Sequence, residues 1–365
     1  MKITCVKENL RKSLNLATKI ISTATTLPIL NNLFLKTEKG RLKISSTNLE
    51  IALKSWVGAK IDETGETTVP AKTFTDFINN IKDEKITLET KGHDLIVKTN
   101  KTNSLIKGLP ADEFPLIPEV KSELTVNLDS KVLADGLNQV SFAAAVSETQ
   151  PELSGVLFNF HEDQLRLAAT DRYRLAEKTI TLNTPVPPKK IIVPIRAVAE
   201  LSRLLSESGE NIEVVTSENQ ILFRGPNHEL ISRLVEGEYP DYQQIVPKDF
   251  STQAVVGVDE FVNALKLTGL FVQDTNNVEL EIITQEKKVV LKSTSQKFGS
   301  NTSWVEAEIE GADNQIIFNY RYILDSLTSL NSQEAVLKII NSGSPAMVVP
   351  KGSVDYYYLV MPIKV

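Results

Sequence analysis

Apolar residues recur at helical spacing at three matching places along the chain: Leu10, Leu14, Ala17 and Ile21, then Leu133, Leu137, Val140 and Ala144, then Phe261 through Leu265. Spacings of three and four put such side chains on one helix face, and each set follows a short run of alternating apolar and polar residues, the pattern of a half-buried strand. A second set of matches lies further on. VPAKTFTDFINNI (69–81), VPIRAVAELSRLL (193–205) and FNYRYILDSLTSL (318–330) each lead from a strand into a helix, with Pro70, Pro194 and Asn319 spaced by 124 and 125 residues. Between these sets SSTNLEIAL (45–53), AATDRYRLA (168–176) and STSQKFGSN (293–301) hold equivalent positions. Three features in one order at nearly one spacing define an internal triplication.

Each repeat reads as strand, helix and several strands, twice over, with hairpin turns at Glu38-Lys39-Gly40 and Gln285-Glu286-Lys287-Lys288. Helices with one apolar stripe, beside strands with one wet face, predict an α+β fold in which each domain has antiparallel sheets and two helices on one face. The segments ADEFPLIPEVKSE (111–123) and EGEYPDYQQIVPKDF (236–250) carry prolines and acidic residues without a period and read as connectors. Domains of 1–122, 123–249 and 250–365 follow.

Composition narrows the class. With 41% hydrophobic and 24% charged residues the chain is of ordinary globular type, and it has no apolar run near the roughly 18 residues that span a bilayer. Lys7, Glu8 and Arg11 interrupt the start where a secretory signal needs an unbroken apolar stretch, so a cytoplasmic location with no membrane partner is expected. Cys5 is the single cysteine and excludes an intrachain disulfide; its alternating surroundings predict a half-buried strand residue. A formal charge of −6 excludes a protein that is basic over its whole surface. The predicted helices 7–20, 71–82, 130–143, 195–206, 259–271 and 320–330 nevertheless sum to +4, leaving −10 for the rest. Solvated helix faces account for that surplus as well as a local polyanion-binding face does.

Catalytic machinery is sparse. His93, His161 and His228 are isolated from one another and from other ligands, so no metal is expected, and the phosphate-loop, dinucleotide and nucleophile-elbow motifs are missing, so no cofactor is expected. Asp171, beside Arg172 and Tyr173, comes nearest to a catalytic group, although an Asp in such a run ordinarily makes a turn or an ion pair. On the residues alone three classes stay open: a nucleic-acid-binding protein, a triplicated protein-interaction scaffold that never meets DNA, and an enzyme acting through Asp171 and Tyr173.

TLPILNN (26–32), AATDRYRLA (168–176), EYPDYQQIVP (238–247) and the terminal YYYLVMPIKV (356–365) together resemble the bacterial DNA polymerase III beta subunit family, the sliding clamps, over the whole chain. The resemblance implies a non-catalytic processivity factor: a head-to-tail homodimer whose six domains close into a ring, each chain contributing half, with helices lining a hole for double-stranded DNA. It implies phosphate contacts without sequence preference from Arg11, Lys12, Lys19, Lys72, Arg196 and Arg203. It also implies a pocket for short linear motifs of the DNA polymerase III alpha subunit, the clamp loader, other polymerases and repair proteins. That pocket would be formed by Leu153, Thr170, Arg172, Tyr173, Arg174, Leu175, Pro240, Ile245, Asn319, Tyr322, Val360, Met361 and Pro362. Ile106, Leu270 and Phe271 would form the dimer joint. The chain departs from the family pattern at five places. Ala24 or Thr25 stands for an arginine, Tyr173 for a common histidine, Gln150 and Gln244 for rim arginines, and Ser104 for an aromatic. Asn48 and Gln296 lack the DRYR run, which assigns the pocket to the middle repeat alone.

Overall fold

The computed structural model describes residues 1–21, 27–146, 149–209, 211–272 and 276–364. The positions of Ala24 and Thr25 lie outside the described residues. Two compact units emerge, residues 1–131 with 196–234 and residues 132–195 with 235–365. The described helices are α1 (Lys7–Ile20), α2 (Ala71–Asn80), α3 (Ser130–Ser141), α4 (Ile195–Ser208), α5 (Val258–Gly269) and α6 (Tyr320–Ser329).

In the first unit a twelve-stranded sheet runs, in spatial order, Asn103–Ile106, Asp94–Lys98, Lys85–Lys91, Lys2–Val6, Ile51–Glu63, His228–Arg233, Gln220–Arg224, Asn211–Thr216 and Leu124–Asp129. Strands Arg41–Thr47, Asn32–Glu38 and Glu66–Pro70 branch from its long member, Ile51–Glu63. The second unit holds ten strands in the order Gly155–Thr170, Arg174–Pro194, Tyr356–Val360, Ala346–Pro350, Glu334–Ile339, Thr252–Gly257, Gly299–Gly311, Lys288–Ser295, Asn277–Ile283 and Asn314–Asn319. Neighbours pair antiparallel, so the expected α+β architecture is the one observed.

Period two decides which way the strands face. In Leu124–Asp129, LTVNLD alternates buried and exposed residues without a break, and a shift of one residue would turn Leu124, Val126 and Leu128 to water. Lys39 and Gly40 both take positive φ, 45° and 78°, in the two-residue turn that joins Glu38 to Arg41. That backbone matches the right-handed twist of the flanking strands. Cys5, expected half-buried, is buried on its strand, which pushes its thiol up to about 12.

α1 buries Leu10, Leu14 and Ala17 completely, while Glu8 in its first turn and Lys19 in its last complement the helix dipole. It ends at Ile20 as expected, and Ile21, expected on its apolar face, is already extended backbone. α2 lies against it, with the Thr18 and Thr75 hydroxyls 2.7 Å apart. The helix charges need correction: α2 ends before Lys82, where Ile81 turns extended, and α4 runs on to include Glu207. α1 then carries +3, α5 carries −1 and the other four balance, a surplus of +2 where +4 was expected.

Both connectors are packed. Phe114 stacks on Phe34 with centroids 5.3 Å apart, and Ile117 and Val120 cover Ala52, Leu222 and Ile231 in the first unit. Tyr239, Val246 and Phe250 similarly cover a cluster in the second.

Candidate functional site

The AATDRYRLA segment forms a side-chain-capped turn whose backbone recurs in the first repeat, while the third keeps a capping hydroxyl but moves the positive φ to Gly299. Thr170 Oγ1 donates to the Arg174 carbonyl (2.6 Å) and accepts from the Arg172 N–H (3.1 Å), while Asp171 Oδ1 accepts from the N–H groups of Tyr173 (3.0 Å) and Arg174 (3.1 Å). In the first repeat Thr47 Oγ1 donates to the Ile51 carbonyl (2.9 Å) and accepts from Leu49 N–H (3.0 Å), and Asn48 Oδ1 caps Glu50 and Ile51 (3.0 and 2.8 Å). Leu49 and Arg172 share a φ of 76°. In the third repeat Ser295 Oγ accepts from Lys297 and Phe298, both at 3.2 Å. A left-handed non-glycine residue costs roughly 1–2 kcal/mol, and the side-chain caps offset that cost. Thr170 and Asp171 are therefore backbone-shaping residues, and what the turn presents differs: Leu49 and Glu50, Arg172 and Tyr173, or Lys297 and Phe298.

Arg174 anchors the middle turn. Its Nε meets Asp171 Oδ2 at 2.9 Å, its Nη1 meets Asp325 Oδ2 at 2.6 Å, and its guanidinium lies 4.5 Å from the Tyr322 ring centre and 5.7 Å from that of Phe142. Burial disfavours the charge, yet Asp325 and Asp171 outweigh it and hold the group above its ordinary value. The aromatic partners are fixed in turn, since the Tyr358 hydroxyl donates to the Tyr322 carbonyl at 2.9 Å and the Tyr358 ring packs 5.6 Å from Phe142.

Arg174 also opens the register with the last strand, pairing with Val360, and the Met361 N–H continues it by donating to the Tyr173 carbonyl at 2.8 Å. Tyr173 and Met361 thus meet at the surface, 62% and 38% exposed. Beneath them Leu175 packs with Leu157, Ala168, Ile192, Tyr242, Met347 and Leu359. Pro240 and Ile245 are exposed on the connector, and Tyr242 between them bonds through its hydroxyl to the buried Glu177.

The structure therefore joins Thr170, Arg172, Tyr173, Arg174, Leu175, Tyr322, Val360 and Met361 directly, and reaches Pro240 and Ile245 through Tyr242. Leu175 and Val360 are closed off beneath the turn, and Leu153 is likewise buried, each at most 3% exposed. Asn319 caps α6 by accepting from Arg321 N–H at 3.1 Å, and Pro362 lies between two residues held by backbone bonds, Met361 and Ile363. Sequence reasoning missed Phe142, Asp325, Tyr358, Tyr242 and Met347. Asp325 stands three residues after Tyr322 on α6, and that spacing was the one local signal for it.

Lys12, Lys19, Lys72, Arg196 and Arg203 are exposed, and Arg11 is half-buried. Arg11 pairs with Glu8 at 2.6 Å and Arg203 pairs with Glu200. Exposed pairs of this kind contribute about 0–1 kcal/mol, so a phosphate competes readily for either guanidinium. Among the described residues no group of His, Cys, Asp and Glu is arranged to hold a metal ion, and no helix is long and apolar enough to cross a membrane.

The residues expected at the dimer joint differ in exposure within one chain. Ile106 is only 8% exposed because its strand turns it into the sheet's apolar side, and the neighbouring Leu105, 49% exposed, is the apolar side chain offered outward. Leu270 is 69% exposed, with Leu267 (45%) and Trp304 (60%) also at the surface of the second unit.

Three like α+β repeats with built recognition surfaces define a protein that works by holding other macromolecules. The chain belongs to the DNA polymerase III beta subunit family: its N-terminal, central and C-terminal domain models match residues 1–118, 127–241 and 243–364. A beta sliding clamp of Staphylococcus aureus is 29% identical over 374 aligned positions, covering 100% of this chain and 99% of that protein. The solved DNA polymerase III beta subunit of Thermotoga maritima superposes with a TM-score of 0.93 at 28% identity, covering 100% of this chain and 99% of that one. The DNA polymerase sliding clamp of Bacillus subtilis gives 0.95 at 26%, with the same coverage. The function is that of the family, a DNA sliding clamp that confers processivity and has no catalysis of its own.

Proposed function

We propose that two copies of this chain join head to tail into a ring around duplex DNA, and that the surface at Tyr173 and Met361 receives short peptide motifs of the polymerase, clamp loader and repair proteins. The observation that carries the ring is a sheet junction present twice and left open once. Residues 51–55 of the first repeat pair with 228–232, the last strand of the second repeat; 174–178 of the second pair with 356–360, the last strand of the third. The third member of this series would pair 299–303 with Asn103–Ile106. Among the described residues 299–303 is paired to Lys288–Ser295 on one side only, and Asn103–Ile106 to Asp94–Lys98 on one side only. Each vacant edge suits the other's counterpart in a second copy, a heterologous contact that closes after two subunits. Leu105 on one edge and Leu267, Leu270, Phe271 and Trp304 beside the other supply the apolar contact.

The domains of this reading are 1–122, 123–249 and 250–365, and the family models for three successive domains support that division. DNA contacts come from Lys12, Lys19, Lys72 and Arg196, with Arg11 and Arg203 recruited from their pairs. A helix surplus of only +2 favours enclosure over grip, because each added phosphate contact would deepen binding and its salt dependence. The test is retention on circular duplex DNA after loading by a clamp loader. The ring predicts co-sedimentation with the circle and release once a restriction enzyme linearises it; protein kept on both forms indicates gripping, and protein on neither supports the DNA-free scaffold.

A further inference from the structure

We propose that a second cleft in the 132–195 and 235–365 unit binds an acidic peptide segment, a contact distinct from the pocket at the Thr170–Arg174 turn. The cleft has a volume of about 520 Å³ and lies between the strands Gly155–Thr170 and Arg174–Pro194 and the connector at 239–243. That size falls within the range of ligand pockets. Arg166, Lys189 and Lys190 line it, and Asp241 is the one carboxylate among the described lining residues, bonded through Oδ2 to Gln244 Nε2 at 2.8 Å. Arg166 and Lys190 beside the single Asp241 make the described lining cationic on a chain whose total is −6. The guanidinium of Arg166 is oriented by Gln164 Oε1, 3.3 Å from its Nε and 3.1 Å from its Nη2, and a fixed planar fork suits a carboxylate better than a mobile ammonium does.

The choice of peptide over nucleic acid rests on the floor. Tyr239 and Tyr242 meet edge to face with centroids 6.2 Å apart, and Tyr242 is only 7% exposed with its hydroxyl held by Glu177. Neither offers the open aromatic face on which a base would stack. The connector also supplies Pro240 to both this cleft and the proposed motif pocket, so a partner with an acidic stretch beside its apolar anchors could engage both. Occupancy of this cleft does not depend on the motif pocket.

The experiment is fluorescence anisotropy of the full chain with a labelled Gly-Glu-Glu-Asp-Glu-Glu-Gly peptide, using an all-lysine peptide as control. Saturable binding of the acidic peptide alone is expected, weakening by about tenfold in Lys189→Gln/Lys190→Gln, as the loss of one or two charged contacts implies. Arg166→Gln should weaken it too. Asp241→Asn should strengthen it severalfold, an outcome that misfolding does not mimic, and Met361→Ala should leave it unchanged. Equal binding by the double variant, equal binding of the lysine control, or displacement by oligo-dT at lower concentrations than by unlabelled acidic peptide would each overturn the proposal.

Discussion

The guanidinium of Arg174 lies 4.5 Å from the ring centre of Tyr322 while its Nη1 holds Asp325, one turn further along α6, at 2.6 Å. One side chain thus ties the middle repeat's turn to a helix of the third repeat. The proposed motif pocket would take its shape from that tie.

Arg174→Ala removes the cation and leaves Asp171 and Asp325 facing the gap. Breaking a well-buried pair costs about 3–5 kcal/mol, and with Asp325 44% exposed the expected loss is nearer 2 kcal/mol. Arg174→Lys keeps the charge but loses the fork and the stacking, for about 1 kcal/mol. Thermal melting should rank the variants in that order, and titration calorimetry with a polymerase-derived motif should show peptide affinity falling in both.

Removing residues 361–365 deletes Met361 and its bond to the Tyr173 carbonyl but spares the 174–178 to 356–360 pairing. Peptide binding should be lost while sedimentation velocity still reports a dimer. A monomer in that truncation would contradict the placement of the tail in the pocket.

Much of this was legible in the sequence, for particular physical reasons. The triplication survives as spacing because strands and helices must keep their periods, and the Thr-Asp turn survives because few side chains can cap a left-handed residue. Asp325 and Phe142 were not legible, since their meeting with Arg174 depends on packing between elements far apart in the chain. The exchange of Ile106 for Leu105 has a smaller cause. In a strand one residue decides the face, and NSLI places two apolar residues in succession. The helix surplus was overstated because helix ends depend on capping geometry that periodicity does not encode.

The proposed joint can be tested at Leu105. Trp56 and Trp304 are the chain's two tryptophans and occupy matching repeat positions, but the Trp56 backbone N–H is bonded across a filled junction to the Asn227 carbonyl at 2.9 Å, whereas Trp304 beside the vacant edge is 60% exposed. In a Trp56→Phe background, dimer formation should shift Trp304 emission to the blue, and dilution should reverse it. Leu105→Asp sets a charge at the joint and should give a monomer with red-shifted emission at every concentration. A dimer that survives this change would place the joint elsewhere.

His228 offers a pH test of the junction within one chain. It pairs with Ser55 in the 51–55 to 228–232 register, and its buried Nδ1 meets no hydrogen-bond partner among the described residues. Burial lowers its pKa below the usual 6.5, because the imidazolium is poorly solvated there. The unfolded chain therefore binds a proton that the folded chain refuses, and stability falls as pH drops from about 6.5 toward the depressed folded value. Above that window the contribution is intact, and below it the loss is complete. The melting temperature of the wild type should decline across this window more steeply than that of His228→Gln, which cannot titrate. Equal slopes would mean that protonation of His228 does not load the junction, and that acid sensitivity arises from other groups.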